Sequence, residues 1–368
     1  MSPFSYPALL AIVLATSLAS AQFVSPDVHP DRTVTFRLSM PNAQKVELGL
    51  EGASGVQMTK DAQGIWTYTT PALAPDIYGY SFTVDGTNVL DPNSHTVKPN
   101  LIWNGNAFTV PGNPPEAWEV QDVPHGMLHH HFYKSKVIGD QRDYFVYTPP
   151  AYRPNGRQKF PVLYLLHGFS DMANGWSEVG HANVILDNLI AAGKAEPMIV
   201  VMTLGYGVPD YASPNRPRSS PGTGKKNSEL FIQALLSEVI PDIESAYPVK
   251  TDQKNRAIAG LSMGGAETLL AGLNHLDKFA YVGAFSSGGL SSDFASAFPE
   301  LTAEKANSML RHLWVSCGTE DGLIKPNRAL VTWLKGKDIH VDAVETPGQH
   351  TWMVWRRNLI AFGQTLFR

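Results

Sequence analysis

The chain has 368 residues, 43% hydrophobic and 17% charged, the make-up of a soluble globular protein with material for two domains. A formal net charge of −4 without a basic stripe leaves nothing to draw a nucleic acid. The one cysteine, Cys317, excludes an intrachain disulfide, and in LWVSCG it reads as a small buried hydrophobe.

The chain begins MSPFSYPALLAIVLATSLASAQ. An apolar run over residues 8–15 leads into Ser17-Leu18-Ala19-Ser20-Ala21, a small-residue cleavage pattern. The run is too short to span a bilayer and no stop-transfer segment follows. Residues 1–21 are therefore expected to be an export signal cleaved near Ala21, although its start lacks Lys and Arg. The mature chain is then secreted or periplasmic, with no membrane span.

Within an expected first domain of residues 22–110, the pattern alternates with period two from Val34 to about Val110. Val34, Phe36 and Leu38 share a face, as do Val46, Leu48 and Leu50, then Trp66 and Tyr68, then Tyr78, Tyr80, Phe82 and Val84. Turn signals such as PNAQ, EGASG, DAQG and VDGTN separate these runs, which predicts a small immunoglobulin-like β-sandwich. Residues 111–126 carry four prolines and read as a linker.

Residues 127–368 have a different texture. Apolar strand-like runs (DYFVYTPP, PVLYLLHG, PMIVVMTLG, AIAGLS, YVGAFSS, LWVSCG, IHVDAVETPG) alternate with helix-like runs. This predicts an α/β fold whose mostly parallel sheet is covered by helices on both faces. Adjacent histidines of a strand face opposite ways, so His129-His130-His131 is not expected to chelate a metal.

One apolar run, RAIAGL, delivers Ser262 between Gly260 and Gly264 just before a helix-forming run. This is G-x-S-x-G in a strand–turn–helix setting. The serine must sit on a turn so sharp that side chains two residues either way would strike the adjoining elements. Serine needs a base, and the base needs an orienting acid. Four histidines lie downstream: His275, His312, His340 and His350. His275 ends the helix after the turn, while His312 and His340 begin strands at the wrong sheet end. His350 follows the last strand and is the expected base. Glu320 and Asp321, after the penultimate strand, are both candidates for the acid. Two backbone N–H donors should face the developing oxyanion, from Met263 after the nucleophile and from Phe169 in the His167-Gly168-Phe169 loop. Trp176, Tyr206 and Trp352 are candidate substrate contacts or core residues, and residues 204–227 are expected to form one wall of the pocket. No cofactor or metal is required.

Together PVLYLLHGFSDMANGW, AGLSMGG, SCGTEDGLI and GQHTWMVWRRNL resemble the family-1 carbohydrate esterases, the feruloyl and acetylxylan esterases of the α/β-hydrolase class. The resemblance covers roughly residues 125–368 and implies Ser262, Asp321 and His350 as the catalytic set. It also implies an acylated plant polysaccharide such as xylan as substrate, with no obligate protein partner. The first half resembles the early-set β-domain related to glycogen-binding modules. Other readings are a siderophore trilactone esterase, for which Arg216, Arg218, Lys225 and Lys226 would supply cationic contacts, and a carbohydrate-binding protein on an inactive hydrolase fold. The complete Ser–Asp–His set argues against the latter, and the extra domain disfavours a cytosolic formylglutathione hydrolase. Since every catalytic candidate lies beyond residue 160, the β-domain is expected to be dispensable for hydrolysis of a small ester.

Overall fold

The structure of the chain is a computed structural model that describes residues 23–213 and 222–368. The expected export signal, Arg216 and Arg218 lie outside the described residues.

The first half folds as two sheets on one core. Val34–Ser39 and Ile65–Thr69 form the centre of a four-stranded sheet, and Val46–Leu50, Asp76–Val84 and Gly105–Val110 the centre of a six-stranded one. Period two does the sorting. Phe36, Leu38 and Trp66 from one sheet meet Val46, Leu48, Tyr80 and Phe82 from the other, all of them buried.

The second half is built on one eight-stranded sheet. Its strands are β1 (Met127–Lys134), β2 (Gln141–Thr148), β3 (Val162–Leu166), β4 (Ile199–Thr203), β5 (Arg256–Leu261), β6 (Tyr281–Phe285), β7 (His312–Gly318) and β8 (Asp342–Thr346), in the spatial order β1-β2-β4-β3-β5-β6-β7-β8. β2 is antiparallel to both neighbours and every later pairing is parallel. The central strands look uniformly apolar in sequence because both their faces are covered. Val162, Tyr164 and Leu166 of β3, with Ile258 of β5, enter the core under the helices Thr223–Ala234, Met263–Asn274 and Ile324–Gly336. Leu163, Leu165, Ala257, Ala259 and Leu261 enter the opposite core, under Ala182–Ala191 and Trp352–Gly363.

On the edge strand β1, His129 bonds Thr148, His130 bonds Asp143 and His131 bonds Tyr247. The three rings serve three separate neighbours.

The halves are joined by more than a linker. Ile77 and Ala107 point away from the β-core and pack into the core of the second half. Asp76, fully buried, accepts from Arg356 at 2.7 Å and pairs with Arg357 at 2.6 Å. Glu51 accepts the Trp352 N–H at 3.0 Å and pairs with Lys98 at 3.0 Å. Residues 111–126, read as a linker, pack against the second half as a strap. Trp118 is buried beneath Arg357, and Asn188 donates to the Ala117 and Glu119 carbonyls, each at 2.8 Å. A proline-rich segment leaves its carbonyls unpaired by any ladder, so they are available to side chains of the helix it crosses.

This interface sets a cost of stability on a truncated chain. Starting near Gln121 would strip Asp76 from two arginines and open the apolar surface under Ile77 and Trp118. Losing one partner of a buried ion pair costs about 3–5 kcal/mol, and newly exposed apolar patches favour aggregation. We expect the truncate to be largely insoluble, or to melt well below the full-length chain. Equal soluble yield and equal melting temperature would show the halves to be independent.

Candidate active site

The turn after β5 has the geometry its glycines require. Ser262 adopts φ 53° and ψ −116°, a region that costs a non-glycine residue about 1–3 kcal/mol. A Cβ at Gly260 would lie 2.4 Å from the Gly264 carbonyl oxygen, and one at Gly264 would lie 2.4 Å from that of His167. Both contacts are impossible for a side chain, so the spacing is steric in origin. The Ser262 N–H donates to Phe285 O on β6 and Gly288 donates back to Ser262 O, each at 2.9 Å.

His350 and Asp321 come from two loops that lace the adjacent strands β7 and β8 together. The Thr319 N–H donates to Thr346 O at 2.8 Å and that of Glu320 to Gly348 O at 3.1 Å. A Cβ on Gly318 would meet the Gly348 oxygen at 2.2 Å, so only glycine allows this approach. His350 then places Nε2 3.0 Å from Ser262 Oγ and Nδ1 2.8 Å from Asp321 Oδ2. The other carboxylate oxygen accepts the Leu323 N–H at 2.8 Å. Burial works to raise the Asp321 pKa, but the bonds from His350 and Leu323 outweigh it and hold the carboxyl below its usual range. Glu320 is exposed and accepts only from its neighbour Thr319 in this loop. The side chain facing His350 is therefore that of Asp321. Cys317 is buried nearby, and burial pushes its thiol up to about 12, which leaves it unreactive.

Met263 is the first residue of its helix, where backbone N–H groups have no intrahelical acceptor. The other expected donor, Phe169, lies on the loop after β3. His167, fully buried, clamps that loop. Its Nε2 accepts the Gly205 N–H at 2.9 Å, so the ring proton sits on Nδ1 and donates to Gly168 O at 2.7 Å. Burial pushes the imidazole pKa down to about 4, which keeps the ring neutral and this tautomer in place.

The three aromatics offered as substrate contacts are all buried: Trp176, Tyr206 and Trp352. This corrects their role. Trp176 Nε1 donates to Leu166 O at 2.9 Å, at the end of β3, and its ring meets Trp352 edge-on. The Tyr206 hydroxyl donates to Asp171 O at 2.8 Å. Two of them therefore brace the loop after β3 from behind. The described part of residues 204–227 likewise packs inward at its start, with Asn227 Oδ1 accepting the Gly207 N–H at 3.0 Å. Phe169 is the exposed aromatic here, edge-on to Tyr211. A groove of about 800 Å³ between the helix Thr223–Ala234 and residues 289–299 is lined by Gly289, whose neighbour Gly288 bonds Ser262, but by none of Ser262, His350 and Asp321.

Among the described residues no group of three or more His, Cys, Asp or Glu could hold a metal, and no helix is long and apolar enough to cross a membrane. Of the lysines offered as siderophore contacts, Lys225 pairs with Glu229 in the next helical turn.

Residues missed by the sequence reading are those that support the site from a distance, namely Asn100, Asp171 and the clamping role of His167. HG after a strand pointed to the loop but not to the ring's two hydrogen bonds.

Residues 135–365 match the Esterase family. The chain is 32% identical over 351 residues to an endo-1,4-beta-xylanase/feruloyl esterase of Xylanibacter ruminicola, covering 93% of this chain and 46% of that protein, so it spans under half the relative's length. Its fold is similar to a solved ferulic acid esterase from Anaeromyces mucronatus in complex with ferulic acid, with a TM-score of 0.58 at 26% identity over 68% of this chain and 93% of that one. It is also similar to the enterobactin esterase of Shigella flexneri, with a TM-score of 0.67 at 18% identity over 90% of this chain and 92% of that one, a likeness of fold.

Proposed function

This chain belongs to the Esterase family, and from that premise we propose that it is a secreted serine esterase removing acyl groups, feruloyl before acetyl, from plant cell-wall polysaccharide. The observation that carries the reading is the continuous path Ser262 Oγ to His350 Nε2, then His350 Nδ1 to Asp321. His350 takes the Ser262 proton as Oγ attacks the ester carbonyl, and Asp321 stabilises the imidazolium that forms. The Phe169 and Met263 N–H groups receive the charge on the carbonyl oxygen, each donor worth roughly 3–4 kcal/mol of barrier. The imidazolium then gives its proton to the sugar oxygen as the C–O bond breaks, so the sugar leaves as its hydroxyl, and water repeats the sequence to free the acid and Ser262.

Feruloyl is placed first because both the Xylanibacter and Anaeromyces relatives carry that activity in their names. Exposed Phe169 offers an aromatic face at the mouth of the site. The groove lined by Gly289 has the size of an ordinary ligand pocket and is our candidate for the carbohydrate side. The first half is proposed as an early-set domain, and residues 1–21 as a leader removed on export. The trilactone-esterase alternative rests on a shared fold at 18% identity.

The test offers purified full-length protein feruloylated arabinoxylan, acetylated xylan and enterobactin separately, and measures the acids released. Ferulate should appear fastest, none should appear with Ser262→Ala, and protein recovered from culture medium should begin at Gln22. Hydrolysis of enterobactin alone would overturn the polysaccharide reading.

A further inference from the structure

Asn100 belongs to the β-sandwich half, between the strands Val97–Lys98 and Gly105–Val110, yet its side chain ends on the loop that carries Phe169. Nδ2 donates to Ser170 Oγ and to Asp171 Oδ1, both at 3.0 Å. Oδ1 accepts the Ile102 N–H at 3.0 Å and the Trp103 N–H at 2.9 Å. Backbone N–H groups can only donate, so the amide's orientation is determined and its two donors must face Ser170 and Asp171. Beside it, the Leu101 N–H donates to Ser170 O at 2.8 Å. Ser170 is buried with φ 72°, a conformation that a serine keeps only where its surroundings impose it. Across the loop, Gly168 stands against Ser262, where an added Cβ would lie 3.3 Å from the Ser262 Cβ. The strained turn that follows Phe169 is thus held partly by the other half of the chain.

We infer that Asn100 is a positioning residue for ester hydrolysis: from the β-sandwich it fixes the Ser170 turn and so aims the Phe169 N–H at the oxyanion. The inference rests on the serine-esterase reading. It makes the first half part of the hydrolytic machinery rather than an appended module. An N–H donor acts only within a few tenths of an ångström of its place, so relaxation one residue away is felt in the rate. Asp171 is buried and its carboxyl is pushed up to about 7 by that burial, which makes a donated hydrogen bond from Asn100 the more valuable to its charged form.

Asn100→Asp tests this in the full-length chain. The substitution keeps the size and the acceptors for Ile102 and Trp103, so the Asn100 loop retains its own hydrogen bonds. The two donors are lost and a negative charge is added beside buried Asp171, so Ser170→Ala, which adds no charge, reads the geometric effect by itself. With p-nitrophenyl acetate, kcat should fall about 10- to 100-fold with little change in KM. The inhibition constant of an aryl trifluoromethyl ketone, which adds to the serine hydroxyl as an anionic tetrahedral adduct, should rise by a similar factor. Ser170→Ala, which removes one of the two contacts, should show the same paired loss at about threefold, and it decides the matter if Asn100→Asp does not fold. Wild-type kcat and ketone affinity, or a lowered melting temperature with both unchanged, would reduce Asn100 to a structural residue. A kcat loss without weaker ketone binding would also overturn the inference. A wild-type chain no more active than Ser262→Ala would instead overturn the esterase reading, and this inference with it.

Discussion

Ser262→Ala is expected to lower kcat on a small aryl ester by roughly six powers of ten, the scale seen when a triad nucleophile is removed. The residual rate is what oxyanion binding and substrate positioning supply without an acyl-enzyme. The fold should survive. Ser262 makes no side-chain cap to the helix it precedes, and alanine carries the same Cβ into the same φ 53° backbone. Gly260 and Gly264 still clear the turn, and the Phe285 and Gly288 backbone bonds do not involve the hydroxyl. Initial rates and thermal melting on the same preparation check this. Retention of more than about a hundredth of wild-type activity by a clean sample would place the nucleophile elsewhere.

The second large effect belongs to Asp321→Asn, which should cost about 10⁴ in kcat. The reason lies in the two bonds of the carboxylate. Oδ1 accepts the Leu323 N–H and Oδ2 accepts from His350 Nδ1. Asparagine has one oxygen for two donors. If that oxygen keeps Leu323, the amide nitrogen turns its hydrogens on His350 Nδ1. The imidazole proton then moves to Nε2, which faces Ser262 Oγ as a donor and can no longer take its proton. If the oxygen instead keeps His350, two N–H groups oppose each other at Leu323, and a buried donor left unpaired costs about 1–3 kcal/mol. Glu320→Gln, at an exposed side chain bonded to Thr319, should stay within about twofold. The ranking of the two variants in kcat at matched melting temperature is the measurement, and a larger loss at Glu320 would defeat the assignment.

The limits of the linear chain show in particular residues. Tyr206 and Trp352 stood beside motifs and carried aromatic rings, the same signal that a binding platform would give. Burial alone separates the two uses, and burial depends on elements far along the chain. The proline-rich stretch before β1 read as a spacer because its composition is that of one, yet Trp118 docks on a helix whose contacting residue, Asn188, is some 70 positions away. The pairing of Asp76 with Arg356 spans 280 positions. No periodicity reports such a contact, since each partner is a charged residue in an otherwise ordinary amphipathic run.

What the sequence by itself determined is local in its physics. The glycines two places either side of Ser262 follow from collisions inside one strand–turn–helix unit. The alternation in the first half and the doubly covered strands of the second follow from which face of each strand meets water. The order of Ser262, Asp321 and His350 follows from the order of strand ends. Where the residues by themselves left two adjacent carboxylates open and the resemblance implied Asp321, the tertiary structure turns Asp321 toward His350, with β7 and β8 lacing their loops through Gly318. It also decided that Asn100, Glu51 and Asp76 reach across from the β-sandwich. Long-range pairing is chosen by how two surfaces pack, and each surface is assembled from residues far apart in the chain.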